Sequence, residues 1–379
     1  MKIKKIIFLT LLVGSVASLF GVMSSSDESA PERVKLKALA LKQVDSFFLP
    51  LDSVTTSNNE FYQYLETDSG AYLTFLNPLV NSLYFYNLDQ RALVKKVPLA
   101  KRGPNGMGSL LSSYEIISPD TILFHSRNQR RLYVTNGQGK VLKRYPLYKE
   151  GLDVYPSSRR GAGIKKIGNK VYLNNDLGCS TDNARLSMMQ MSLDLTDGSL
   201  NEFLSLPEAY ETEKKTYWPR KLCHLYSTFD ANTNQMVYSF PGNEEVVKYD
   251  LDQSYESLTT GSGYLGNPKA IHISRFPADP MSEFKSFLGY NRYGRIHVDP
   301  YNELFLRSYY YKTPQEQLDQ NILRTKSSLI IFDKENNMLG EAELIGAHEL
   351  FFTKAGMHQV LFNSNIEDSL EIRVFDYNF

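Results

Sequence analysis

The 379-residue sequence has two cysteines, one tryptophan and no excess charge, with 42 Lys+Arg against 42 Asp+Glu. Two cysteines cannot build a disulfide-rich scaffold or a four-cysteine zinc site. A net charge of zero argues against a nucleic-acid partner, which calls for a basic excess. Local catalytic signatures are missing too. There is no Gly-Lys-Ser/Thr phosphate loop, no His-Glu-x-x-His, no Gly-x-Ser-x-Gly elbow and no Asp ladder for calcium. The histidines (His125, His224, His272, His297, His348 and His358) show no zinc-helix spacing. No cofactor and no metal is therefore expected. A metal set gathered from distant strands would leave no local motif, so the hydrolase class stays open.

Long apolar runs are also missing, except at the start. Lys2, Lys4 and Lys5 precede an uncharged stretch from Ile6 to Met23, and Ser24, Ser25, Ser26, Asp27 and Glu28 follow it. A positive segment, an apolar segment and a polar release describe an export signal over residues 1–23, with 24–33 as a short polar linker. Ala17 and Ser18 offer small-residue cleavage positions. The alternative is an uncleaved anchor, since about 18 residues can just span a bilayer. Membrane contact is expected only through this segment, if it is uncleaved.

Tyr (25) and Phe (21) are abundant, a bias that suits strands. From residue 60 onward, short apolar runs alternate with Asn, Asp, Gly, Ser and Pro clusters, at a period of two. One motif recurs, an apolar strand ending near Asn or Asp. Its copies begin at Leu83, Leu132, Met188, Val246, Leu329 and Ile372. Each follows a tight-turn cluster, such as Asp68-Ser69-Gly70 or Asn232-Thr233-Asn234, and a second apolar run. A four-stranded propeller blade takes roughly 40–50 residues. The pattern predicts an all-β, six-bladed β-propeller of four-stranded blades over residues 34–379. The sixth copy runs out of chain after its third strand, and Val34 to Leu51 has no blade of its own. This N-terminal segment is expected to close the ring by pairing with the C-terminal blade. A sandwich pair is the competing architecture.

The stretch Phe75-Leu76-Asn77-Pro78-Leu79-Val80-Asn81-Ser82-Leu83-Tyr84, the loop Gly103-Pro104-Asn105-Gly106-Met107-Gly108, and Tyr293-Gly294-Arg295-Ile296-His297-Val298-Asp299-Pro300 with Glu303-Leu304-Phe305-Leu306-Arg307 occur in that order. Together they resemble a TolB-like six-bladed β-propeller envelope family of unknown function from Bacteroides-type bacteria. The resemblance spans most of residues 40–379. It implies the propeller fold and the periplasm or cell envelope of a Gram-negative bacterium. It implies no activity and no catalytic residues. Members are usually lipoproteins, and this chain departs from them in having no lipobox cysteine after its apolar stretch.

Loops on a rigid scaffold are where function concentrates. In a propeller, the loops between second and third strands and those between blades share one face. Arg102 and Asn105 stand in the glycine-rich loop 101–108, whose amides could hold an anion or simply form a blade-to-blade turn. Arg159 and Arg160 form a second basic spot, suited to anion capture or to solvent. Trp218 beside Arg220 would suit a sugar or peptide, or Trp218 could pack on a neighbouring blade. Tyr309-Tyr310-Tyr311 reads as the start of a long insertion, Arg307 to Ser327, with a short helix within Pro314 to Ile322. Cys179 and Cys223 map to one face of adjacent blades and are a disulfide candidate after export, with two free thiols as the alternative. The functional expectation is a non-catalytic envelope propeller that binds a protein, peptide or glycan through its loop-rich face. A structural module of an envelope assembly and a metal-dependent propeller hydrolase or lactonase are the alternatives.

Overall fold

Strands dominate because the apolar runs are short, alternate in polarity and end in turn residues. The computed structural model describes residues 37–57, 59–109, 111–150, 156–158, 161–175, 188–210, 216–251, 255–259, 271–272, 279–323, 325–344, 348–362 and 368–378. The strands belong to one unit, Lys35–Phe379. Six antiparallel sheets form a six-bladed β-propeller.

Blade 1 comprises Glu60–Thr67, Gly70–Asn77, Ser82–Asn87 and Ala92–Pro98. Blade 2 comprises Ser113–Ser118, Thr121–Ser126, Arg131–Thr135 and Val141–Pro146. Blade 3 has a divided first strand, Pro156–Ser157 and Lys165–Ile167, then Lys170–Asn175, Met188–Asp194 and Leu200–Ser205. Blade 4 comprises Tyr226–Asp230, Gln235–Ser239, Glu245–Asp250 and Tyr255–Thr259. Blade 5 comprises Arg292–Asp299, Leu304–Tyr310, Ser327–Asp333 and Met338–Glu343. Blade 6 comprises His348–Thr353, Gly356–Leu361 and Ser369–Asn378, and Ala40–Pro50 is its fourth strand. The first strand of each blade is innermost; inner strands of neighbouring blades touch around the axis, and blades 3 and 4 meet there through the Ser227 N–H and the Gly161 carbonyl.

The closing strand is where the sequence places it. Ala40–Pro50 runs antiparallel to Ser369–Asn378, from Ala40 opposite Asn378 to Pro50 opposite Ser369. Before it, Ala38 bridges Glu341 in parallel, so the same segment also grips the outer edge of blade 5. Gly340 permits that approach: a Cβ there would meet the Lys37 carbonyl oxygen at 2.3 Å.

The core lies in the seams between blades. Leu76, Leu83, Phe85 and Val97 of blade 1 pack on Tyr114, Ile116, Ile122 and Phe124 of blade 2. Phe47 and Leu49 of the closing strand join Phe75 and Tyr84 of blade 1 with Val360 and Ile372 of blade 6. Between blades 4 and 5, Arg307 is fully buried. Its guanidinium donates to Ser239 Oγ (2.8 Å) and to the carbonyls of Glu244 (2.6 Å) and Asn243 (2.8 Å), and it lies 3.7 Å over the Tyr293 ring. Burial pulls its pKa down to about 10.

One boundary differs from the sequence reading. The second strand of blade 5 continues to Tyr310, so Arg307 and Tyr309 are strand residues and the insertion begins after them. Tyr309 is buried against Tyr293 and Tyr311, and the ladder with Ser327–Asp333 outweighs the look of a polar aromatic loop. The insertion contains a short helix, Gln315–Asp319. A second helix, Pro280–Leu288, lies in the connection that enters blade 5. Asp279 caps it through Met281 and Ser282 N–H, and Pro280 opens it.

Candidate functional site

The inner strands of all six blades line one cavity of about 260 Å³ on the axis. Gln63, Glu115, Lys165, Thr228, His297 and Glu349 represent blades 1 to 6 in turn. Most lie in the first half of their strands, the end where the chain enters each blade. That end belongs to the loop-rich face.

Three inner strands lose regular pairing at this level, and all three deliver residues to the cavity. In blade 1, Glu60 faces Leu76 and Gln63 faces Thr74, so Phe61 and Tyr62 oppose Phe75 alone. Phe61 has φ +57°, a strained state for a bulky side chain that costs on the order of 1–3 kcal/mol. In blade 5, Gly294 and Arg295 oppose Ser308 alone. A Cβ on Gly294 would meet Tyr310 Cε2 at 2.3 Å, so glycine is required there. In blade 3, Ser157 faces Asn174 and Lys165 faces Tyr172. One residue separates those partners on the second strand, whereas seven, 158–164, separate them on the first. Bulges re-aim side chains and gather beside functional sites.

The seven-residue excursion ends inside the ring. Gly161 oxygen accepts from Ser227 N–H of blade 4 at 3.0 Å, and Ile164 N–H donates to Ser113 Oγ of blade 2 at 3.3 Å. At its start, Ser158 Oγ pairs with Nδ1 of buried His125 at 2.7 Å. Burial, with Arg127 nearby, drives the His125 pKa down to about 3, so the ring is neutral at pH 7.

Two ion pairs set the electrostatics. Lys165 Nζ lies 2.9 Å from Glu115 Oε1, and Glu115 Oε2 accepts from Lys166 N–H. Burial raises the Glu115 pKa, and the Lys165 charge opposes that rise. Arg295 Nη1 donates to Glu349 Oε2 at 2.6 Å, with both side chains nearly buried. Burial opposes the Arg295 charge, but the Glu349 carboxylate outweighs it and holds the guanidinium above its usual value. Among the described residues, each charged side chain on the wall is paired: Glu115 with Lys165, and Glu349 with Arg295 beside the cavity.

The residues singled out from sequence lie elsewhere or outside the described residues. Arg102 is exposed, and Asn105 Oδ1 accepts from Val141 N–H at 3.2 Å, tying its loop to blade 2. The amides of Gly106, Met107 and Gly108 donate to the carbonyls of Gly103, Ala100 and Lys101, so they are spent within the turn. Buried Met107 anchors that loop in the seam of blades 1 and 2. Trp218 is only 4 % exposed; its indole N–H donates to the Tyr210 carbonyl at 3.1 Å and its ring packs on Tyr210. Arg220 opens a short 3₁₀ turn that ends at Cys223. Cys223 is buried and disulfide-bonded. Arg159, Arg160 and Cys179 lie outside the described residues.

Sequence reasoning missed Glu115, Lys165, Glu349 and Phe61. Gly294 inside a strand pattern and the pair Gly161 and Gly163 just ahead of one were the available signals, because glycine there marks a bulge or a close backbone approach. Among the described residues, no three His, Cys, Asp or Glu side chains are grouped to hold a metal ion. Among the same residues, no helix is long and apolar enough to cross a membrane.

Comparison with solved structures supports the architecture. A DUF4221 family member from Bacteroides vulgatus ATCC 8482 superposes with a TM-score of 0.78 at 18% identity, covering 91% of this chain and 99% of that one. A Bacteroides fragilis NCTC 9343 protein, described as a candidate exported protein, superposes with a TM-score of 0.53 at 10% identity, covering 91% and 99%. No functionally curated protein matches the sequence. The family model described as a domain of unknown function, DUF4221, matches residues 39–343, and the chain therefore belongs to the DUF4221 family.

Proposed function

We propose that this propeller is a non-catalytic binding protein of the cell envelope, and that its ligand enters the axial cavity from the loop-rich face. The ligand classes in view are a protein segment, a peptide or a glycan. One observation carries the reading: the three inner strands that carry irregularities, in blades 1, 3 and 5, all line the same cavity. Strained and bulged backbone costs stability, and it gathers where a site must be shaped. The leader-like residues 1–23 support export, and a disulfide at Cys223 suits an oxidising compartment.

Gly163 provides the means of testing it. It lines the cavity, and a Cβ there would meet only Phe61 Cδ1, at 3.8 Å. Gly163→Leu should fold and fill the cavity. Peptides and oligosaccharides are screened by thermal melting against both proteins. A compound that binds the channel raises the wild-type Tm, by about 2.7 kcal/mol of added stability at a hundredfold excess over Kd, and leaves the variant unmoved. Equal responses from both proteins would sink the channel reading. One tightly held metal ion per chain, found by metal analysis after chelator-free purification, would sink the non-catalytic one.

A further inference from the structure

We infer that the axial cavity holds a neutral, polyhydroxylated ligand of one sugar ring, the end residue of a glycan. This rests on the binding reading above and narrows its ligand class.

The first argument is charge. Glu115 is paired with Lys165 and Glu349 with Arg295, at 2.9 and 2.6 Å, so among the described residues no carboxylate on the cavity wall is left without a counter-charge before any ligand arrives. A ligand with net charge would leave that charge uncompensated in a largely buried site. A purely apolar ligand would strip water from the Lys165 ammonium and the Glu349 carboxylate and return nothing.

The second argument is spare hydrogen-bonding capacity. Glu349 Oε2 takes the Arg295 bond, and among the described residues its Oε1 takes none. The Lys165 ammonium has three N–H donors and pairs with one carboxylate. Ser227 and Thr228 also line the cavity, and among the described residues neither hydroxyl is engaged in a hydrogen bond. The site therefore offers an acceptor, donors and two groups that do both. A sugar hydroxyl donates one bond and accepts two, so adjacent hydroxyls can use all of these without disturbing either ion pair. A zwitterionic peptide end is neutral too, but its charges would have to compete with ion pairs already made.

The third argument is shape. Half-buried Phe61 and Phe229 stand on the cavity wall and give apolar faces on which the C–H side of a sugar ring can rest. A volume of about 260 Å³ is near the lower bound of ~300 Å³ for ligand pockets, which suits one ring and not a folded chain.

The test is saturation-transfer NMR on the exported protein. The probes are methyl α-glucoside, methyl β-galactoside and N-acetylglucosamine, with glucuronate, glucosamine and glycylglycine as charged and zwitterionic comparators. At least one neutral sugar should bind, and its affinity should fall at least tenfold in Gly163→Leu and severalfold in Thr228→Ala, with melting curves unchanged. Binding of glycylglycine or the charged sugars alone, abolished by Gly163→Leu, would overturn the sugar inference and leave the channel reading standing. Neutral-sugar binding that survives Gly163→Leu would overturn both. No binding by any probe would overturn the sugar inference.

Discussion

Gly161 lies directly against the side chain of Arg295: a Cβ on Gly161 would come within 2.5 Å of Arg295 Cγ and 2.7 Å of its Cδ. The contact spans the axis, because Gly161 belongs to the excursion of blade 3 and Arg295 to the bulge of blade 5. Two irregularities in separate blades are therefore one arrangement. Gly161 also has φ +73°, which a side chain would strain. Gly161→Ala is expected to push Arg295 away and to lower stability by about 1–3 kcal/mol. Urea unfolding measures this, and an unchanged midpoint would show that the contact is not tight.

His125 makes stability depend on pH. Its folded pKa, about 3, lies below the ordinary 6.5, so the unfolded chain binds the extra proton first. The sign follows: the contribution is complete above pH 6.5 and is lost as pH falls toward 3. At pH 5 the loss is about 2 kcal/mol. Unfolding free energies at pH 7 and pH 5 should differ less in His125→Asn than in the wild type, and an equal slope would refute the assignment.

Arg307 holds the turn 240–245 of blade 4 against blade 5 through several carbonyls. Arg307→Met leaves those buried carbonyls short of donors and should cost about 3 kcal/mol or more. Arg307→Lys should rescue little, since an ammonium lacks the planar fork. Full rescue by lysine in chemical denaturation would mean that charge alone matters.

The closing strand should be indispensable. Removing the residues before Leu51 uncovers the edge of Ser369–Asn378 and takes Leu39, Phe47 and Leu49 from two seams. An exposed edge invites pairing between molecules. Size-exclusion chromatography should show aggregates, and a peptide of residues 37–51 should restore the elution volume of the intact protein. A truncation that folds cooperatively and does not aggregate would contradict this.

With two cysteines in the chain and Cys223 disulfide-bonded, we propose the Cys179–Cys223 linkage. Non-reducing peptide mapping should recover it, and Cys223→Ser should lose about 2–5 kcal/mol. Two titratable thiols in the native exported protein would reject it.

How much of this was legible beforehand divides along one line. The six strand motifs were legible because alternation and turn chemistry are local: Asp299, for example, accepts from the N–H groups of Tyr301 and Asn302 within its own turn. Tyr309 was misread because its burial depends on Tyr293, a partner on another strand. Trp218 beside Arg220 suggested a ligand platform from sequence adjacency, yet the ring is used for packing on Tyr210.

By itself, the sequence determined the number of blades, the turn between the first and second strands of each blade and the strand that closes the ring, since each follows from periodicity and from residues a few positions apart. Only the tertiary structure decided where a ligand could go. The axial cavity joins Gln63, Glu115, Lys165, Thr228, His297 and Glu349, one from each blade, and their charges pair in space across positions some fifty residues apart. No local pattern encodes such a meeting, because it is the closure of the ring that brings six inner strands to one axis.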